Sequence, residues 1–242
     1  MSTFSPDGIL PVDKVLKAPC LTPIAQFMSD HMVDIYVGDE RKKFRLHRDL
    51  LCERSEFFKA SFEGHFKEAE TQELALPEDS VKGFELLVGW LYGAPLMRIT
   101  SKDDLSAYFN LIILAKKLCL EHLQNETMDH ILGLYRTSLL EVSAPNIRSV
   151  YWNTFTGDPL RRLVIRCAAW TAFSNEVDVF DSDDRNLLEG GGEIAADFTS
   201  WLVKFYIYSK YCEDIDTIDP RRASNCSFHK HNSTPTCSDP SQ

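Results

Sequence analysis

The stretch VDIYVGDERKKFRLH, residues 33–47, most strongly limits the folds open to this chain, because its apolar residues recur at every second position. Alternation with period two is typical of half-buried β-strands. The polar residues 38–41 separate two such runs, so the stretch predicts a β-hairpin. The apolar residues of the two runs are Val33, Ile35, Val37, Phe44 and Leu46.

Directly after the hairpin, the apolar spacing changes to that of an α-helix. Leu51, Phe58 and Phe62 recur on one helical face, and Ser55 lies between them, where its hydroxyl is expected to bond to a carbonyl one turn earlier. A short extended piece over 73–77 follows. Helical spacing then predicts further helices, which begin at an N-cap (Ser80), at a capping box (Ser101 with Asp104), and near Glu121, Pro145, Pro159 and Ala195. A hairpin followed by many helices indicates an α+β chain.

Composition excludes several functional classes. Thirty-six acidic against 26 basic residues give a formal net charge of −10, and such a chain would repel a phosphate backbone, so no nucleic-acid binding is expected. The sequence contains no run of about 18 apolar residues, so it predicts no membrane span. Its first residues do not resemble a secretory signal. Five of the seven cysteines stand singly among apolar neighbours, as reduced thiols do. These features predict a cytoplasmic or nuclear protein.

The middle of the chain carries a set of motifs whose order and spacing resemble a known family, the BTB/POZ domain. These motifs are Asp34-Ile35-x-Val37, His47-Arg48-x-Leu50-Leu51-x-x-Arg54-Ser55-x-x-Phe58-x-x-x-Phe62, Leu76-Pro77, Phe84-x-x-Leu87-x-x-x-Leu91-Tyr92-Gly93 and Leu114-Ala115-x-x-Leu118. The resemblance implies an α+β BTB/POZ fold, a small mixed β-sheet capped by a helical cluster, followed by an α-helical extension. The layout looks like that of fungal-type BTB proteins, and it implies a protein–protein interaction module.

Changes in pattern along the chain predict its organisation. We expect a flexible arm over 1–30, the BTB/POZ domain over 31–135 and a helical extension over 136–211. Within the extension, the acid-rich and glycine-rich stretch 174–193 is predicted to be a mobile loop. Hydrophobicity falls after Tyr211, so 212–242 are predicted to be a mostly disordered tail that contains a Cys/His cluster.

The sequence shows none of the common catalytic or nucleotide-binding motifs, such as G-x-x-x-x-G-K-[ST], H-E-x-x-H or C-x-x-C. His47 stands where a predicted strand meets a helix, and its ring is expected to hydrogen-bond local backbone and not to take part in catalysis. We therefore do not expect an enzyme.

The resemblance implies a candidate cullin contact and hence a substrate adaptor of a cullin-RING ubiquitin ligase. In adaptor-type BTB domains a hydrophobic-x-Glu signature follows the motif helix, and Phe66-Lys67-Glu68 stands there, although Ala69 replaces the Ser often found next. Phe66 would be the apolar anchor, and Glu68 would order the turn or pair with a cullin base. Six acids against Lys67 alone over 63–79 would steer in a basic partner. The alternative is that Phe66 is a core residue beside a solvated acidic rim.

The alternative function is a self-associating BTB scaffold or regulatory protein with no role in ubiquitin ligation. Some BTB domains dimerise around a pocket with a buried Asp and a basic residue, and Asp34 and Arg48 match those positions. Residues 1–30 are broken by prolines and predict no long helix to exchange, so only a weak homodimer is expected. Asp34 and Arg48 could equally satisfy local polar groups.

Four residues near the C-terminus, Cys226, His229, His231 and Cys237, offer thiol and imidazole ligands within twelve positions. Such ligands suit tetrahedral zinc, so they form a candidate metal site; no other cofactor is predicted. Their spacing is not that of a standard zinc finger. The alternative is an unstructured tail with incidental cysteines and histidines.

Overall fold

A three-stranded mixed sheet begins the fold in the computed structural model, which describes residues 24–137, 142–174 and 182–237. Its strands are β1 (Met32–Val37), β2 (Lys42–His47) and β3 (Glu73–Leu76). β1 lies in the centre, antiparallel to β2 and parallel to β3, and Ile35 pairs with Phe44 on one side and Leu74 on the other. The predicted hairpin and the mixed sheet are confirmed.

Helices cover this sheet and bury its apolar face. They are α1 (Arg48–Arg54), α2 (Glu56–Glu63), α3 (Lys67–Thr71), α4 (Val81–Leu91), α5 (Lys102–Lys117) and α6 (Glu121–Thr137). Ile35 and Val37 of the sheet are fully buried together with Phe58, Phe84 and Ile112 of the helices. Each such side chain contributes about 1.5–3 kcal/mol by its burial. The N-cap of α4 by Ser80 and the capping box of Ser101 and Asp104 on α5 are also confirmed.

The prediction of one continuous helix through Ser55 is wrong, because the chain turns there and starts a second helix. Ser55 is extended and caps α2, where its hydroxyl oxygen accepts a bond from the Phe58 amide at 3.4 Å. The same hydroxyl donates to the Leu118 carbonyl at 2.7 Å, 63 positions away in the chain. It therefore links the start of α2 to the end of α5 instead of bonding back within its own helix.

His47 also has a different partner from the one predicted. Its ring Nδ1 lies 2.8 Å from the Tyr92 hydroxyl, which also accepts a hydrogen bond from the His47 backbone amide. The hydrogen-bond partner of the His47 ring is therefore the side chain of Tyr92, just after α4, and not the local backbone.

The extension continues the same hydrophobic core. Its helices are α7 (Ala144–Asn153), α8 (Pro159–Ser174), α9 (Ser182–Glu189) and α10 (Gly192–Ser209). Leu160, Trp170 and Phe205 are buried, and the Trp170 and Phe205 rings meet edge to face at 5.3 Å. No helix in the described ranges is long and apolar enough to cross a membrane.

The prediction of a mobile acidic loop over 174–193 is wrong for residues 182–189, which form α9. Leu187 is buried and Leu188 packs against the core, so the segment has an apolar face despite its charge. Asp183 and Asp184 stand in the first turn, where negative charge favours the helix dipole. Residues 175–181 lie outside the described part.

The prediction of a mostly disordered tail is wrong for residues 212–237, which pack onto the helices. Three short 3-10 turns lie at Ile215–Ile218, Pro220–Arg222 and Asn225–Phe228, and Phe228 is 1% exposed. Low hydrophobicity misled the prediction, because polar contacts hold much of this segment. The remainder of the tail, 238–242, and residues 1–23 of the predicted arm lie outside the described ranges.

Arg161 joins three helices of the extension through a buried guanidinium group. Its Nη1 donates to Glu193 on α10 at 2.8 Å, and its Nε donates to the Thr154 hydroxyl at 2.9 Å. Its Nη2 donates to the carbonyls of Tyr151, at 2.6 Å, and of Thr154, after the end of α7. A planar donor set of this kind cannot be replaced by one ammonium group.

We therefore expect Arg161→Lys to lower the free energy of unfolding by about 2–3 kcal/mol, because buried acceptors lose their donors. Arg162→Lys is the matched control, since Arg162 makes an exposed bond to the Ser227 carbonyl, and it should cost less than about 1 kcal/mol. Urea unfolding of both variants measures the difference. Equal losses would contradict this role of Arg161.

Candidate functional site

Phe66 lies in the connection between α2 and α3 and exposes 61% of its surface. Phe62 and Phe58, four and eight positions earlier, are buried. The interpretation of Phe66 as a core residue is therefore wrong. The structure presents its ring on the surface directly before the first turn of α3.

Glu68 lies in that first turn and is half-buried. The end of α3 is fixed by Gln72, which adopts a left-handed conformation with φ 55°. The Gln72 side-chain amide donates to the Ala69 carbonyl at 2.6 Å and to the Phe62 carbonyl at 3.4 Å. The backbone carbonyl of Gln72 accepts a hydrogen bond from the Asp34 amide at 3.0 Å. Sequence reasoning missed Gln72, because a left-handed glutamine has no local sequence signal.

Not all acids of the 63–79 segment are free to act on a partner. Asp79 pairs with Lys117 at 2.6 Å, and Glu73 lies 3.5 Å from the Tyr36 hydroxyl. The acidic character next to Phe66 therefore comes from the exposed Glu63 and Glu70 together with Glu68.

Asp34 and Arg48 each have a local partner. Asp34 on β1 pairs with Lys43 on β2 at 2.8 Å, whereas both Nε and Nη2 of Arg48 lie 3.2 Å from Asp49. These contacts agree with the alternative that the two residues satisfy local polar groups. One oxygen of Asp34, Oδ1, is buried without a hydrogen-bond partner in the described chain. Self-association through this pair stays a prediction.

Three of the four predicted metal ligands, Cys226, His231 and Cys237, come together around one point, and His229 lies beside one of them. Nε2 of His231 lies 3.3 Å from the Cys226 sulfur and 3.8 Å from the Cys237 sulfur, and these three ligand atoms all lie within 4.8 Å of one another. Nδ1 of His229 lies 3.1 Å from the Cys237 sulfur. Thiols and imidazoles so arranged can hold a tetrahedral metal ion.

A polar stripe on α6 holds the segment that carries this cluster. The stripe consists of Glu121, Asn125 and Asp129, which share one helical face because they are four positions apart. Nε2 of His229 lies 2.7 Å from Oδ1 of Asp129. Asn125 donates to the Lys230 carbonyl at 2.7 Å and accepts from the Lys230 amide at 3.0 Å. Sequence reasoning missed this stripe, since nothing local indicates a partner about 100 residues away.

Glu121 begins the stripe with a buried carboxylate. It accepts bonds from the amides of Asn232, at 3.1 Å, and of Ser233 and Thr234, both at 2.8 Å, and from the Thr234 hydroxyl at 2.8 Å. Burial alone would raise the pKa of Glu121, but these donors outweigh it and lower the pKa to about 2.

Docking of residues 232–234 should therefore depend on pH through Glu121. Because the folded-state pKa lies below its usual 4.5, the charge contributes stability that is full above that pH and is lost as pH falls toward 2. We expect Glu121→Gln to destabilise the docked segment by about 2 kcal/mol at neutral pH and to remove this acid dependence. Hydrogen exchange of the segment near neutral pH and thermal unfolding across the acid range measure the two effects.

Glu85→Gln is the matched control, because Glu85 makes an exposed salt bridge to Lys42 at 2.6 Å. It should change segment exchange and the acid dependence little. Faster exchange of 232–234 in both variants alike would contradict the role given to Glu121.

Comparison with known proteins identifies the N-terminal half. Residues 24–133 match the family model of the BTB/POZ domain, so this stretch is a BTB/POZ domain. No curated protein matches the chain. The family match indicates a protein–protein interaction module.

Proposed function

We propose that this chain, in which residues 24–133 are a BTB/POZ domain, is a substrate adaptor of a cullin-RING ubiquitin ligase. The observation that carries the proposal is the exposure of Phe66, 61% of whose surface reaches solvent at the position of the hydrophobic-x-Glu signature. An aromatic ring that is exposed in the free chain and fills a pocket on binding is a typical interface anchor.

The backbone around Phe66 supports the proposal because it is held in place before a partner arrives. Gln72 bonds to carbonyls of α2 and α3, and β1 bonds back to Gln72. A preformed contact surface loses little conformational entropy on binding, so more of the apolar burial is available as affinity.

The charges next to Phe66 suit a basic partner surface. Glu63, Glu68 and Glu70 surround the ring in sequence, and Lys67 alone opposes them. Such charges raise the association rate and select the partner more than they add affinity.

Substrate would then be held by the extension. In the described residues, the three most exposed large apolar side chains belong to Trp152, Phe155 and Tyr211, which all lie outside the BTB/POZ domain. Exposed aromatic residues of this kind are common anchors for a protein partner.

The test is calorimetric titration of the full chain with the N-terminal domain of a cullin. Phe66→Ala should weaken binding by about 30-fold, as expected for an anchor residue worth about 2 kcal/mol. Glu68→Lys should weaken it further and slow association. Phe155→Ala and Glu189→Lys are the matched controls: one removes another exposed ring, and the other reverses an exposed charge, and both lie in the extension, far along the chain from Phe66.

Absence of binding by the folded wild-type chain would refute the adaptor function. Undiminished binding by the Phe66→Ala, Glu68→Lys double variant would refute this placement of the contact. Chains that bind no cullin but whose mass by light scattering rises with concentration would favour the self-associating scaffold.

A further inference from the structure

The geometry of the Cys/His cluster points to a structural zinc site that fastens the C-terminal segment to the BTB/POZ domain. We propose that the ligands are the sulfurs of Cys226 and Cys237, Nε2 of His231 and Nδ1 of His229. The proposal does not depend on the cullin contact.

The distances fit one tetrahedral ion. With Zn–S near 2.3 Å and Zn–N near 2.0–2.1 Å, tetrahedral angles put a sulfur and a nitrogen ligand about 3.6 Å apart. The three sulfur–nitrogen distances here are 3.1, 3.3 and 3.8 Å. An ion between Cys226, His231 and Cys237 would require displacements of only a few tenths of an ångström. His229 lies against Cys237 but outside this group of three, so its ring would move closer to the other two ligands to complete the shell.

The second nitrogen of each imidazole gives an independent argument. A histidine that binds metal usually directs its other nitrogen to a carboxylate or another oxygen, which fixes the ring and its tautomer. His229 directs Nε2 to Asp129 at 2.7 Å, and Nδ1 of His231 lies 3.4 Å from the Thr234 hydroxyl. Asp129 is itself held by the side-chain amide of Asn225 at 2.7 Å. Incidental histidines in a loose tail would have no reason to show this pattern at both rings.

The arrangement suits a structural rather than a catalytic ion. Four protein ligands close a tetrahedral shell and leave no position for water or substrate. Phe228, between the ligands Cys226 and His229, is buried beneath the guanidinium group of Arg166 on α8. An ion at the cluster would thus hold one segment against both α6 of the BTB/POZ domain and α8 of the extension.

The first test is the metal content of the full chain, expressed without a polyhistidine tag and purified under reducing conditions. Native mass spectrometry and elemental analysis should give one zinc per chain. Replacement by cobalt should give the visible bands of a tetrahedral ion together with a thiolate charge-transfer band.

Ligand variants test the assignment of each residue. Cys226→Ser and Cys237→Ser should each lose zinc, whereas Cys119→Ser and Cys212→Ser, which change cysteines outside the cluster, should retain it. His231→Ala should lose zinc, and His122→Ala, on the exposed surface of α6, should not. Asp129→Asn keeps all four ligands and should lower zinc affinity, measured by chelator competition, about 10- to 100-fold. Asp103→Asn, at an exposed site on α5, is its control.

Three results would overturn the proposal. One is reduced full-length protein that contains no zinc and binds none when zinc is titrated into it. Another is a disulfide between Cys226 and Cys237 in protein whose thiols were blocked during lysis. The third is a full zinc content in the Cys226→Ser, Cys237→Ser double variant. Because Asp129→Asn leaves every ligand in place, it remains informative where a ligand variant fails to fold.

Discussion

The arrangement of the chain depends on helix α6, because one of its faces packs in the hydrophobic core and another binds the C-terminal segment. One face carries Leu123, Ile131 and Leu132, which are fully buried in the common core. The other carries the polar stripe that receives the C-terminal segment 100 or more positions later. A helix packed on one side only would leave that segment with less to hold it, since Pro220 and Phe228 are the buried apolar residues of the segment in the described part of the chain.

The sequence could predict the elements whose signals are local. Alternation predicted the hairpin, and capping residues predicted the starts of α4 and α5, because each signal lies within a few residues of its effect. Local signals did not predict the break between α1 and α2 at Ser55, because the apolar spacing continues across it. The hydroxyl of Ser55 instead donates a hydrogen bond to the distant Leu118 carbonyl. The acidic residues of α9 likewise led to the prediction of a loop, although Leu187 and Leu188 of this helix pack against the core.

The candidate sites also combine features that the local sequence predicts with features that only the packed structure shows. Four thiol and imidazole ligands within twelve residues were recognisable in the sequence, but the carboxylate behind His229 was not, because Asp129 lies 100 positions earlier. For Phe66 the pattern left core and surface open, and only the packed structure separates it from the buried Phe62. A single exposed apolar residue is ordinary on a protein surface. Its location before α3, among acids and on a turn fixed by Gln72, is what gives the ring a candidate role.

The C-terminal segment and the BTB/POZ core differ in how their stability is built, and this has a consequence for function. The core rests on many buried apolar side chains, each of which adds a modest and similar amount. The segment rests on directional bonds to Glu121, Asn125 and Asp129. The bonds to the two carboxylates are charge-assisted, and each is worth about 1.5–3 kcal/mol only while its geometry is kept. Loss of a few such bonds would release the segment and leave the core folded, because few apolar contacts would be lost with them. A change at the stripe can therefore alter the surface next to α6 while the presentation of Phe66 before α3 stays as it is.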